Sequence, residues 1–411
     1  MMKTKFNRTI NKKKSLLIVA ISAVAMIGNI CSAASAPTEA PTGFDNKTNG
    51  LVDQNTFDID RLNFEKVDKI SDGLGPIYNA TSCLVCHEAP ASGSASQFGN
   101  IRYGYFDGTN FQAPSGGTML QERAIDAAIQ SQVPSQANVK VFRVSLNLLG
   151  DGYVEAIDDN TIIQIAAQQP LLSRNAINGQ VIKVPVNEAP GTLRVGRFGW
   201  KNQHSSLVSN SAEAYRSEIG VTSPLFPTEP TSNGQSVAAY DTVADPEDDG
   251  GDIKAFAEFI RATKAPPRNA VLAATSASIA GEQTFQDIGC AACHIPTIVT
   301  APVGTVINGG TFTVPDALGN KIIHPYSDFL LHDVGTGDGI VQNGGQATRN
   351  LVKTVPLWGL RTRTRLLHDG SAVTPMDAIN SHKGEAAKVI YNFNSLSQAD
   401  QNNLITFLNS L

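Results

Sequence analysis

Cysteine is scarce in this sequence. There are five in 411 residues: Cys31 near the start, and four arranged as two Cys-x-x-Cys pairs. That excludes a disulfide-dense scaffold. Long apolar runs are missing as well. The longest stretch, Leu16 to Ile27, has twelve residues, whereas a membrane-spanning helix needs about twenty. An excess of basic residues is absent too: 32 Lys and Arg stand against 37 Asp and Glu, and six of the basic ones fall in the first fourteen positions, which argues against nucleic acid or an anionic membrane as partner. Histidine is sparse, at seven, so the position of each one is informative. What remains is 41% hydrophobic and 17% charged, a globular composition in a chain long enough for two or three domains.

Two of the seven histidines stand directly after the second cysteine of a pair, in Cys83-Leu84-Val85-Cys86-His87 and Cys290-Ala291-Ala292-Cys293-His294. This is the attachment signature of c-type haem. Each thiol can bond one vinyl group of the porphyrin, and the adjoining imidazole reaches the iron. A structural zinc site would join two pairs, or a pair with a histidine pair, and needs no histidine directly after either one. The reading is two covalently bound haem c groups, with Cys83, Cys86, Cys290 and Cys293 as attachment points and His87 and His294 as iron ligands.

The first residues read as a secretory signal over 1–34. Lys3, Lys5, Arg8, Lys12, Lys13 and Lys14 precede the apolar stretch, and small residues around Ala33 and Ala34 offer a cleavage point. Cys31 raises a lipid anchor, but bulky Ile30 before it disfavours one. Removing residues 1–36 takes away six basic and no acidic residues and moves the formal charge from −5 to −11. No membrane span is left.

Along the chain, 37–60 reads as an extended lead-in and 89–117 as irregular loop, packed over a haem face or simply on the surface. A short helix is expected over 119–131, a strand over 140–149, a helix over 161–168 capped by Asp158 or Asp159, and a hairpin within 176–194. A helix follows over 211–219. The acidic segment 227–251 is a loop whose carboxylates lack the regular spacing of a calcium loop, so calcium is conceivable there but unsupported. Ile253, Phe256, Phe259 and Ile260 recur with helical period, and Ala265-Pro266-Pro267 is a natural boundary. Beyond it, Ser278 can cap a helix ending at Gly289, and 298–322 reads as a Gly-rich hairpin or loop. Thr374-Pro375-Met376-Asp377 starts a helix bearing Ala378, Ile379 and His382, and Ser397 with Asp400 starts the last one. The fold class is mainly α: two cytochrome c-like haem domains, 45–264 and 268–411, with small β hairpins and long irregular loops.

Several stretches in order resemble the bacterial di-haem oxidoreductase family, which is related to di-haem cytochrome c peroxidases and to the di-haem enzyme that matures methylamine dehydrogenase. They include Asp72-Gly-Leu-Gly-Pro76, Gly196-Arg-Phe-Gly-Trp-Lys201, Ser217-Glu-Ile-Gly220, Tyr326-Ser-Asp-Phe-Leu-Leu-His-Asp333, Leu366-Leu-His-Asp-Gly370 and His382-Lys-Gly-Glu-Ala386. The resemblance implies a reactive haem in the N-terminal domain and an electron-transfer haem in the C-terminal one. In the related peroxidases a methionine fourteen residues after the histidine of His-Asp-Gly binds the second iron. Counting from His368, that place holds His382, the second axial ligand by this resemblance; a partly buried histidine at a helix end is the alternative.

Trp200 resembles the tryptophan between the haems, against an alternative role as core packing. Glu218 resembles the acid/base glutamate of the peroxidases, against a helix-end carboxylate in solvent. Peroxide cleavage needs a group that takes a proton from one oxygen and returns it to the other. No histidine occurs between His87 and His204, so the first iron is expected to be open on one side, unless a group near Tyr103 closes it. His332 and His368 are expected to fix loops or propionates, and Arg361, Arg363 and Arg365 to meet propionates or form a solvated strip. The implied function is a periplasmic haem-dependent oxidoreductase of peroxidase type. It would take a small-molecule oxidant and a periplasmic electron-donor or acceptor protein. A non-enzymatic electron carrier, or an enzyme acting on oxygen or thiol compounds, are the other readings.

Overall fold

In the computed structural model the described residues are 36–411. The signal reading over 1–34 and Cys31 lie outside them. Ala36–Leu411 holds together as one unit, made of ten α-helices and several two- and three-stranded sheets among the described residues.

The helices next to the first cysteine pair pack by their aromatic residues. Gln54–Glu65 is capped by Asp53, whose carboxylate accepts from the Thr56 N–H. It buries Phe57 and Phe64 against the Gly251–Ala262 helix, with Phe57 and Phe259 rings 5.3 Å apart and Phe64 edge-on to Phe256. The 37–60 lead-in therefore ends in helix from Gln54 onward. The polar composition of this helix hides two phenylalanines, Phe57 and Phe64, seven residues apart, the two-turn spacing that puts them on one face.

Segment 89–117 carries the strand Gly99–Phe106, which pairs antiparallel with Phe111–Gln112 on one side and Val139–Val144 on the other. A loop was expected because of its glycines, but the sheet needs them. A Cβ on Gly99 would sit 1.9 Å from the Arg143 carbonyl oxygen, and one on Gly104 would sit 2.3 Å from the Phe111 ring. The expected helix over 119–131 is not formed either. Arg123–Ala124 pairs with Ile77–Tyr78 and only one 3₁₀ turn, Ala127–Ile129, follows. The hairpin is as expected, Lys183–Pro185 against Leu193–Val195. The helix capped by Asp158 extends over Asp159–Ser173.

Two main hydrophobic clusters result. The larger runs from Ala40 to Trp358 and takes residues from both sides of Ala265–Pro267, among them Ile260, Ile298, Leu318 and Phe329. The other gathers Phe285, Tyr326, Phe393, Leu404 and Phe407. There the Ser276–Asp287 helix, capped by Thr275 rather than Ser278, crosses the Gln398–Leu408 helix capped by Ser397. They meet at Gly281, where a Cβ would lie 2.0 Å from the Asn403 carbonyl oxygen.

Candidate functional site

The two Cys-x-x-Cys-His segments fold alike. Each starts a 3₁₀ turn, Cys83–Val85 and Cys290–Ala292. The His87 N–H donates to the Cys83 carbonyl at 3.1 Å, and the His294 N–H to that of Cys290 at 3.0 Å. Each turn aims its cysteines and histidine into a cavity. The first, 490 Å³, is lined by Cys83, Cys86, His87, Trp200 and Glu218. The second, 190 Å³, is lined by Cys290, Cys293, His294, His382 and Trp200. Burial pushes the thiols of Cys86 and Cys290 up to about 12, and raises those of Cys83 and Cys293. Paired thiols at this spacing, turned into a cavity with a histidine directly after them, fit bonding to porphyrin vinyl groups.

Three histidines share one arrangement. The Nδ1 of His87 lies 3.0 Å from the Ser94 carbonyl oxygen, that of His294 3.1 Å from Tyr326, and that of His382 2.7 Å from Ala378. A carbonyl can only accept, so each Nδ1 carries the hydrogen and each Nε2 keeps its lone pair for a metal. Burial pushes His87 and His294 down to about 4 and lowers His382, which favours the neutral ring in each. Tyr326 adopts φ 51°, an unusual backbone for a tyrosine that presents its carbonyl to His294. His382 closes the Pro375–Ser381 helix as its C-cap, one residue beyond the last helical position.

The remaining histidines are engaged otherwise or lack a carbonyl to orient them. His332 sits between Asp328 at 2.8 Å and Glu385 at 2.9 Å. Burial works to lower it, but the two carboxylates hold it protonated, up to about 12. His204 faces Glu213 at 3.7 Å and His324 pairs with Glu39 on the surface. His368 lines the second cavity, but its buried Nδ1 has no hydrogen-bond partner.

The cavities differ in the number of available imidazoles. Among the described residues, His87 is the only histidine lining the first. Tyr103 points away from it, and its hydroxyl accepts from Asn233 Nδ2 at 2.9 Å. In the second, His294 and His382 are close enough for the charge of one to be felt by the other.

A model of the family described as "Di-haem oxidoreductase, putative peroxidase" matches residues 119–411, more than half of the chain. The chain belongs to this di-haem oxidoreductase family. Haem is therefore its cofactor and peroxidase-type redox chemistry its class of reaction. The match begins after the first Cys-x-x-Cys-His segment, so that segment rests on its own geometry. Three solved structures are similar to this chain. Hydrazine synthase of Kuenenia stuttgartiensis is 15% identical, covering 97% of this chain and 100% of that one, at a TM-score of 0.41. A MauG-like protein associated with microbial copper homeostasis is 16% identical over 94% and 95%, also at 0.41. The diheme peroxidase BthA of Burkholderia thailandensis is 13% identical over 92% and 95%, at 0.34. At these scores the likenesses carry no argument about function. No curated protein matches the chain.

Within this family member, Glu218 lies in the first cavity on a widened turn, Tyr215–Ile219, wound as π-helix after the Leu207–Ala214 helix. Such bulges are frequent at functional sites. Asn79 Nδ2 donates to its Oε2 at 2.9 Å and Asn100 Nδ2 to its Oε1 at 2.7 Å. Burial raises the carboxyl above its ordinary range, while the Asn79 amide, Arg102 and the Asn100 amide pull it partly back. It is a held carboxylate rather than a solvated helix end. Asn79, Asn100 and Arg102 escape a reading by motif because they come from 139, 118 and 116 positions away in the chain.

Trp200 lines both cavities, together with Lys353 and Arg363. Its indole N–H donates to the Val144 carbonyl at 2.8 Å, and its ring meets that of His368 edge-on at 6.1 Å. The arginine cluster divides. Arg363 faces both cavities, whereas Arg361 donates to the Pro267 carbonyl at 3.1 Å and Arg365 is exposed.

Proposed function

We propose that this chain is an exported di-haem c-type peroxidase of the periplasm, released from a signal over 1–34. It would draw electrons from a periplasmic donor protein and pass them to a small oxidant of the peroxide class. Haem, bound through Cys83 and Cys86 in one lobe (45–264) and through Cys290 and Cys293 in the other (268–411), supplies redox chemistry at iron. The observation that carries this reading is the unequal supply of imidazoles. Among the described residues His87 is the one imidazole of the first cavity, so a haem held there would keep a side for reactants. His294 and His382 both line the second and would hold its iron together, an arrangement that suits electron transfer.

Glu218 is the proton carrier of the first cavity. Its carboxylate accepts a proton from one peroxide oxygen and returns it to the other. The two asparagine amides orient it, and burial, which raises its pKa, favours its taking up that proton. Trp200, shared by both cavities, is the buried aromatic bridge for electrons. Lys353 and Arg363 offer positive charge where propionates of either group would come.

Spectra of haem-loaded protein test this. A high-spin ferric component beside a low-spin one, with peroxide turnover, supports the reading. Two low-spin haems without turnover would make the chain an electron carrier and overturn it.

A further inference from the structure

We propose that Glu229, Asp241, Asp245 and Glu247 form a calcium site, separate from both haem cavities, that ties the 222–250 loop to the Asp72–Pro76 turn. One carboxylate oxygen from each of the four lies within 4.8 Å of the others, so a single ion seated among them is within reach of all at the calcium–oxygen distance of about 2.3–2.6 Å. All four donors are hard oxygens, the ligands of calcium rather than of zinc or copper.

Glu229 marks this group as more than a solvated acidic run. Its side chain is buried, with 8% exposure, and neither of its carboxylate oxygens has a hydrogen-bond partner. Glu247 Oε1 is likewise buried and unpaired. A carboxylate held out of water without a partner is costly, and here it faces three others. Among the described residues no salt bridge reaches any of the four. The guanidinium of Arg216, whose charge is felt at Glu229, is turned to the backbone carbonyls of Thr228 and Glu229.

The site has a place in the fold. Thr222 donates its N–H to Glu247 Oε2 at 2.7 Å, and its hydroxyl lies 2.8 Å from Asp245 Oδ1. Glu247 in turn lies over Gly73, where a Cβ would meet its Cγ at 2.7 Å. Irregular ligand spacing along the sequence does not matter, because the chain returns on itself between Glu229 and Asp241.

Calcium titration calorimetry of the chelator-treated, haem-loaded protein tests the proposal, with Asp241→Asn/Asp245→Asn and Glu229→Gln as variants. The unaltered protein should bind one more calcium per chain than the double variant, or bind it roughly tenfold or more tightly, since affinity follows ligand charge. Calcium should raise its melting temperature and leave that of the double variant unmoved, with unchanged haem spectra in both. Equal calcium binding and equal thermal response in all three proteins overturns the site. Tighter binding of magnesium than calcium overturns the assignment of the ion.

Discussion

Asn100 holds Glu218 by a 2.7 Å hydrogen bond from its side-chain amide. The strand Gly99–Phe106 thereby reaches across the first cavity to the turn that carries the carboxylate. If Glu218 moves the proton, Glu218→Gln should cut peroxide turnover by about 10²–10⁴-fold while both haem spectra stay as they are. Full turnover in that variant removes Glu218 from the chemistry.

The same contact sets a pH dependence. Glu218 accepts a proton only when ionised, and burial raises its pKa above the carboxylate norm. Turnover should therefore be full above that raised value and be lost as pH falls through it. The amides of Asn79 and Asn100 lower the pKa, so Asn79→Ala or Asn100→Ala should move the acid limb to higher pH. A pH–rate profile with an unmoved acid limb in both variants would assign the limb to another group.

How much of this was legible in the sequence depends on how local the cause is. The cysteine pairs, the capping box at Thr374 and Asp377, and the Ser397 cap are set by neighbours within a few residues, and the structure has them where the sequence puts them. Gln54–Glu65 was not legible, because its amphipathic face is two phenylalanines and its partner is almost two hundred residues away. Gly99–Phe106 was missed for the opposite reason. Glycine usually marks a break, yet here Gly99 and Gly104 give room to the Arg143 backbone and the Phe111 ring. At the site, Trp200 and His382 were visible through resemblance. The amides around Glu218 were not, since nothing in a single sequence brings Asn79 beside it.

The second cavity yields a sharper test. His382 keeps its Nε2 free because Nδ1 donates to the Ala378 carbonyl at 2.7 Å. His382→Ala should turn the second haem from low-spin to high-spin and leave the first unaltered. An unchanged low-spin spectrum would falsify the ligand assignment.

Trp200 is shared between the cavities, so its replacement should separate binding from transfer. Trp200→Phe keeps an aromatic ring but strands the Val144 carbonyl that the indole N–H now meets at 2.8 Å, at a cost to stability of about 1–3 kcal/mol. Both haem spectra should persist. Rapid-mixing kinetics should show slower oxidation of the second haem by peroxide added to the reduced protein. An undiminished rate would place the electron path elsewhere.

Gly281 stands where the Ser276–Asp287 and Gln398–Leu408 helices cross, with the Asn403 carbonyl oxygen 2.0 Å from any Cβ placed there. Helix propensity alone favours Gly281→Ala by about 1 kcal/mol. The crossing opposes it: the obstacle is backbone, which cannot swing aside, and overpacking typically costs about 1–3 kcal/mol. The crossing should win, because the first helix runs directly into Cys290 and the last one supplies Leu404 and Leu408 to the second cavity. Chemical denaturation of the haem-loaded variant should show a lower midpoint, with the spectrum of the second haem changing before that of the first. A midpoint raised above that of the unaltered protein would mean that the two helices part easily and that this contact does not hold the second pocket together.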